Sequence, residues 1–363
     1  MNFSQQMLWL LTILLCAFLF GLQSVAQSCD STNALLVAVV DTGADLSHKD
    51  LKDWIWTNPG ESGIDSSGND KASNHIDDDD NGFVDDLHGW NFVQNNSDVM
   101  DHHGHGTHVS GLISKHWPPS LAKKSCPVIQ LMVIKYFDQR FTENDTLDSS
   151  IKSFRYAINN GAKIINFSGG GAKKFKIEEN AIRLALQKEI LLVAAAGNEG
   201  ANSDKFKFYP AGYMLPNILS VSALDKGNRL LSSSNYGLKT VKLATVGENL
   251  NSSLPGGIYG PMTGTSQATA VTTGIAALIL HKNPWLDTPQ KIIERLVRTA
   301  KKNPSLALKI GNLTQLNILK SLRSADRHTS AFGQKIENAI FIPERMFLDN
   351  NFTADTAKIP NGI

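Results

Sequence analysis

Leu35-Leu36-Val37-Ala38-Val39-Val40 is an unbroken apolar run, rich in valine, that stops at Asp41-Thr42-Gly43. A strand with one wet face alternates polar and apolar residues. A run without alternation is buried on both faces, as in a parallel sheet covered by helices on each side. Similar runs return at 128–136, 162–167, 190–196, 218–223 and 241–244. Between them the apolar spacing changes to that of helices. One begins at 107–115. Ile151, Phe154, Ala157 and Ile158 share a helix face over 148–160, which stops at Asn160-Gly161, a usual C-cap. Ile177, Ala181, Leu184 and Ala185 do the same over 177–188. Residues 266–280 are small or apolar all round, which predicts a helix buried in the core. Asp287-Thr288-Pro289 opens a last amphipathic helix over 289–300, a cap followed by a first-turn proline. Strands alternating with helices predict an α/β fold, a doubly wound and mainly parallel sheet flanked by helices in three layers. In such sheets functional residues gather at the carboxyl ends of the strands, where Asp41 and Asn198 both stand.

The chain has 363 residues and a formal net charge of +1, so no global field draws it to nucleic acid or to an acidic membrane. Residues 7–20 form an apolar run too short to span a bilayer, which takes about 20 residues. Ser24-Val25-Ala26 follows with small residues placed for cleavage after Ala26. Residues 1–26 are therefore expected to be a signal peptide, although no Lys or Arg precedes the run, and an uncleaved anchor is the alternative. The expected product is an exported protein, secreted or periplasmic, monomeric and free of the membrane once the signal is cut. Cys29 and Cys126 would remain, an even pair compatible with one disulfide in an exported protein or with two buried thiols. Each shortly precedes a strand candidate, so both lie at one sheet end if those strands are parallel neighbours. A domain over 27–323 is expected, with a C-terminal extension over 324–363 where the periodic pattern fades.

A serine hydroxyl is a poor nucleophile at neutral pH unless a base takes its proton and a third group orients the base. Asp41 ends a buried strand. His105 lies in His103-Gly104-His105-Gly106-Thr107-His108-Val109-Ser110-Gly111, where glycines let a loop turn tightly into a helix. Ser266 lies in Gly264-Thr265-Ser266-Gln267-Ala268-Thr269-Ala270, at the start of the buried helix, where backbone N–H groups lack partners. Together these segments resemble the subtilisin-like serine peptidases. Val39-Val40-Asp41-Thr42-Gly43-Ala44-Asp45 is similar to the family's aspartate motif, with His48-Lys49-Asp50-Leu51 downstream of it. His105-Gly106-Thr107-His108 resembles the histidine motif and Gly264-Thr265-Ser266 the serine motif, in the family's order. Ala194-Ala195-Ala196-Gly197-Asn198-Glu199-Gly200 resembles the segment that carries a side-chain oxyanion donor, which would be Asn198. Asn166-Phe167-Ser168-Gly169-Gly170 resembles the edge that pairs with substrate backbone and walls the primary pocket. Leu254-Pro255-Gly256-Gly257 and Tyr259-Gly260 fit the approach to the serine.

The resemblance covers about residues 34–320 and implies a serine endopeptidase acting on protein or peptide substrates through an acyl-enzyme, with Asp41, His105 and Ser266 as triad. It departs from the family at Gln267 and Ala270, where methionine and proline are common, and at Ala244-Thr245-Val246-Gly247, which lacks a usual proline. Its zymogens usually carry a long prodomain. The stretch between Ala26 and Leu35 has no room for one, so the expectation is unaided folding or restraint by residues 324–363. A catalytically silent, peptide-binding relative is the competing function.

Two clusters invite a metal. His102, His103, His105 and His108 fall close together, but a zinc site would want helical spacing or nearby Cys or acidic ligands. Asp77-Asp78-Asp79-Asp80-Asn81-Gly82-Phe83-Val84-Asp85-Asp86 is the stronger case, with six carboxylates in ten residues. Asp77, Asp79, Asn81, Gly82 and the Phe83 carbonyl match the first half of a calcium loop. The twelfth position is His88 rather than a bidentate Glu, so Asp86 or Asp85 would have to substitute. Structural calcium is expected here, and a solvated acidic loop is the alternative. The resemblance points the same way, since the family uses calcium for stability.

Overall fold

The computed structural model describes residues 34–121 and 128–323. The signal peptide, both cysteines and the 324–363 extension expected from the sequence lie outside the described residues. The elements are β1 (Leu35–Asp41), β2 (Gly89–Asn91), α1 (His105–Ser114), β3 (Ile129–Lys135), α2 (Glu143–Asn159), β4 (Ile164–Phe167), α3 (Lys176–Gln187), β5 (Leu191–Ala195), β6 (Ile218–Leu224), β7 (Leu243–Val246), β8 (Leu250–Leu254), β9 (Ile258–Met262), α4 (Thr265–Lys282), α5 (Pro289–Thr299), β10 (Lys301–Lys302), β11 (Thr314–Gln315) and α6 (Ile318–Arg323). The main sheet runs β10-β11-β7-β6-β5-β4-β1-β3-β2, and every pair in it is parallel except β10 with β11. From β1 the chain first builds outward through β3 and β2. It then returns to β4 on the other flank of β1 and continues away through β5, β6 and β7. The strand order therefore reverses between β1 and β4, and a crevice opens beyond their carboxyl ends. β1 and β3 are parallel neighbours.

The unbroken apolar runs are explained by burial on both faces. Val37 and Val39 of β1, with Leu131 and Val133 of β3, pack against Leu112 and Ile113 of α1 and Ile275 and Ile279 of α4. Leu36, Ala38 and Val40, with Met132 and Ile134, pack on the other side against Phe154 of α2 and Ile182 of α3. Three layers result, and the parity of β1 puts Asp41 on the same face as Val37 and Val39. That is the face on which α1 and α4 lie, each beginning beside the crevice. The nearly all-buried α4 has small residues at its start because it runs through the core between sheet and α1.

Local chemistry moved two helix starts. α2 begins at Glu143, earlier than its apolar face suggests, because Thr142 and Asp145 form a reciprocal capping box. α1 begins at His105 itself, so the imidazole sits in the first helical turn. Gly104 precedes it at φ +95°, a left-handed conformation that favours glycine. A Cβ on Gly106 would stand 2.1 Å from the Gly43 carbonyl oxygen, so only glycine lets this turn approach β1. The antiparallel pair β8 and β9 turns at Pro255-Gly256-Gly257, and it was not foreseen as a hairpin. Among the described residues no helix is long and apolar enough to cross a membrane.

Candidate active site

Asp41 is buried at the end of β1, and its Oδ1 accepts from the Thr42 N–H at 2.8 Å and from His105 Nδ1 at 2.7 Å. A carboxylate can only accept, so Nδ1 carries a proton and the imidazole turns Nε2 away from Asp41, as a base requires. Burial disfavours the imidazolium, but the charge and hydrogen bond of Asp41, with the charge of Asp101 behind them, outweigh it and hold the His105 pKa above its ordinary value. Asp101 is buried and takes Thr42 Oγ1, His103 N–H and Gly104 N–H on Oδ1, and Thr107 N–H and hydroxyl on Oδ2. It clamps the loop entering α1 to the end of β1. The sequence reading missed Asp101, although an Asp just before a helix is a recognisable cap signal.

Ser266 is the second residue of α4, and its N–H stands in the first turn, where backbone amides have no intrahelical acceptor. Its hydroxyl donates to the Ser168 carbonyl at 3.3 Å. Among the described residues no hydrogen bond joins Ser266 to His105. Such contacts are often long before substrate binds, so the arrangement stays compatible with proton transfer. The register brings the two halves together: Val40 pairs with Phe167, so Asp41 and Ser168 leave adjacent strands side by side. His105 is bonded to the first and Ser266 to the second. Asn166 is fully buried and ties β4 to α4, accepting from Thr273 Oγ1 at 2.8 Å and donating to Ser168 Oγ at 3.2 Å.

Asn198 follows β5. Its Oδ1 accepts from the Thr265 N–H at 2.9 Å and the Thr265 hydroxyl at 3.0 Å. An N–H can only donate, so this fixes which end of the amide is oxygen and leaves Nδ2 of the exposed Asn198 with no acceptor among the described residues. Asn235, buried and distant in sequence, holds that loop. Its Oδ1 accepts from Glu199 N–H and Ala201 N–H, and its Nδ2 donates to Ala196 O. No motif pointed to it. Gly169 and Gly170 continue from Ser168. A Cβ on Gly169 would strike the Tyr136 hydroxyl, and Gly171 beyond them pairs with Tyr209. A cavity of about 300 Å³ opens beside them, lined by Tyr136, Phe137, Phe167 and Phe175 and also by Glu143, Lys173 and Glu178.

The departures from the family pattern are accommodated. Gln267 is buried and donates to Met262 Sδ, Ala270 is fully buried, and Gly247 accepts from the Gly264 N–H just before Ser266. The histidine cluster does not converge. His108 spends Nε2 on the Leu250 and Gly260 carbonyls, fastening β8 and β9 to α1, and burial pushes its pKa down to about 4. His48 is a buried structural residue, accepting the Asp50 N–H at Nδ1 and meeting Ile258 O at Nε2.

Of the expected calcium ligands, Asp79 and Asp86 come together with Glu61, which the sequence reading missed, and Asp77 is not in that group. Carboxylate oxygens of Glu61, Asp79 and Asp86 lie within 4.8 Å of one another. Glu61 and Asp86 are fully buried, and Glu61 Oε2 has no hydrogen-bond partner among the described residues. Burial and the neighbouring charges of Asp79, Asp86 and Asp78 raise the Glu61 pKa, and burial pushes Asp86 up to about 6. Asn58 donates to Asp79 and Asp86, while Tyr156 and Asn81 donate to Asp86. Asp77 takes the Asn81 and Gly82 N–H groups, which leaves lone pairs on both its oxygens. Asn81 Oδ1 takes the Phe83 N–H. An orphaned buried carboxylate oxygen facing two more carboxylates fits a hard cation better than it fits water.

A doubly wound sheet whose switch point carries Asp41 bonded to His105, with Ser266 bonded to Ser168 on the adjoining strand, defines the class. The profile of the subtilase family, peptidase S8, matches residues 32–320, and the chain belongs to that family. It is 33% identical to the thermophilic serine proteinase of Bacillus sp. strain AK1, over 67% of this chain and 51% of that protein, so it spans about half the length of that relative. It is 32% identical to subtilisin Savinase of Lederbergia lenta over 62% of this chain and 78% of that one. Among solved structures, a cold-adapted subtilisin-like serine proteinase superposes with a TM-score of 0.57 at 24% identity, covering 80% of this chain and 92% of that one, which speaks for the fold.

Proposed function

We propose that this chain is an exported serine endopeptidase, monomeric, that hydrolyses peptide bonds through Asp41, His105 and Ser266. The observation that carries the reading is the Asp41–His105 hydrogen bond beside the Ser266 hydroxyl at the reversal point of the sheet. Ser266 Oγ attacks the scissile carbonyl carbon while His105 Nε2 takes its proton. Asp41 holds the tautomer and stabilises the imidazolium. Asn198 Nδ2 and the Ser266 N–H donate to the oxyanion. His105 then gives the proton to the leaving amine, and water, deprotonated by the same imidazole, releases the acyl group. Substrate backbone lies along Ser168–Gly170, and the neighbouring cavity receives a side chain farther upstream than the acyl-side residue.

Glu61, Asp79 and Asp86, with Asp77, Asn81 and the Phe83 carbonyl, would hold a structural calcium ion. The ion would neutralise the buried charges and take no part in the chemistry. Export rests on residues 1–26, and N-terminal sequencing of the mature protein tests it. For the activity, wild type is expected to react with a fluorophosphonate and to degrade casein, and Ser266→Ala to do neither. A folded wild type that neither reacts nor cleaves would leave the silent peptide-binding relative as the better reading.

A further inference from the structure

The crevice between β4 and β5 is bounded by Ser168-Gly169-Gly170 on one side and Ala196-Gly197-Asn198 on the other. In the acyl-enzyme of the proposed mechanism, with the acyl oxygen toward Asn198, this slot is the space beside Ser266 open to the side chain of the acyl residue. One side chain reaches both of its walls. A Cβ on Gly170 would stand 2.4 Å from Phe208 Cε1, and a Cβ on Gly197 would stand 2.9 Å from Phe208 Cγ. Ring atoms thus lie about 4 Å from the Gly170 α-carbon, which is ordinary contact distance. One phenyl ring touches both walls, two residues beyond Ser168 and one before Asn198.

The ring is not a loose surface group. The next residue, Tyr209, exchanges both backbone hydrogen bonds with Gly171, at 2.7 and 2.9 Å, and the Phe208 carbonyl accepts from the Gly212 N–H at 2.6 Å. The side chain itself is half-buried. Shifting the backbone that carries the ring would mean breaking the Tyr209–Gly171 pairing that joins this loop to the wall.

We propose that Phe208 floors the primary specificity pocket and restricts the residue on the acyl side of the scissile bond to small side chains, alanine above all. This rests on the endopeptidase reading. A leucine or phenylalanine there would overlap the ring, whereas a methyl group stops short of it.

The test is a series of tetrapeptide anilides differing only in the acyl-side residue, alanine, leucine or phenylalanine, hydrolysed by wild type and by Phe208→Ala. Enzyme concentration is set by fluorophosphonate titration of Ser266. Wild type is expected to favour alanine over phenylalanine at least 10-fold in kcat/KM, since even one excess methylene is worth about 10–200-fold in a fitted pocket. Phe208→Ala should move that ratio toward phenylalanine at least 10-fold. Equal or better cleavage after phenylalanine by wild type overturns the proposal without recourse to the variant, and so does an unchanged ratio in a fully titratable variant. Failure of wild type to titrate at all overturns the endopeptidase reading instead, and this inference with it.

Discussion

Two regions of the molecule bring carboxylates into close company, and they are balanced in different ways. At the end of β1, Asp41 meets an imidazole and a backbone N–H, and nearby Asp101 takes five donors. Every charge there has a partner built into the chain. In the acidic loop, Glu61, Asp79 and Asp86 meet one another, with amides and one phenol as their only described donors, and one buried oxygen has none. The first region is complete in itself and is ready to move a proton. The second is short of positive charge, because like charges at that spacing disfavour joint ionisation, and a proton or a cation from solution would balance it.

The largest effect that can test this contrast is on catalysis. Asp41→Asn should lower kcat about 10⁴-fold, because an amide stabilises the wrong tautomer. In wild type, kcat/KM should rise with pH through a midpoint above the ordinary histidine value of 6.5, since only the neutral imidazole acts as base and Asp41 favours the charged one. The variant's midpoint should fall. A loss of less than tenfold, or an unmoved midpoint, removes Asp41 from the orienting role. Next in size, Asn198→Ala should lower kcat about 10²–10³-fold with KM little changed, a magnitude carried over from a subtilisin rather than derived from this site. A change confined to KM would show that the amide binds substrate and not the oxyanion.

The smallest effect belongs to the other region. A chelator should lower the melting temperature by about 5 °C, as loss of a bound stabilising ion does in a domain of this size. Glu61→Gln should make the protein less sensitive to the chelator. The effect should also depend on pH. Asp86 has a folded pKa raised from 3.8 to about 6, so the stability conferred by its neutral form is present below 3.8 and is lost as pH rises through 6. A calcium ion bound there would offset that loss, so the gap between loaded and chelated protein should widen from pH 4.5 to pH 7. Identical melting curves at both pH values would mean that the loop works as a solvated acidic surface.

What the sequence determined by itself was whatever depends on neighbours along the chain. Unbroken apolar runs imply strands buried on both faces, and these imply a helix-covered parallel sheet, so six strands and the buried helix at Ser266 were legible. Asp41, His105, Ser266 and Asn198 were legible because each stands in a short motif whose glycines and small residues answer a local need, such as the turn at Gly104. Tertiary structure alone decided the groups whose partners are remote: Asn235 stapling the Asn198 loop, Glu61 joining Asp79 and Asp86, and Phe208 closing the slot between Gly170 and Gly197. Those contacts arise from the order of strands in the sheet and the packing of loops at its edge. Hydrophobic periodicity constrains which face a residue takes, but it carries no information about which distant loop will meet it there.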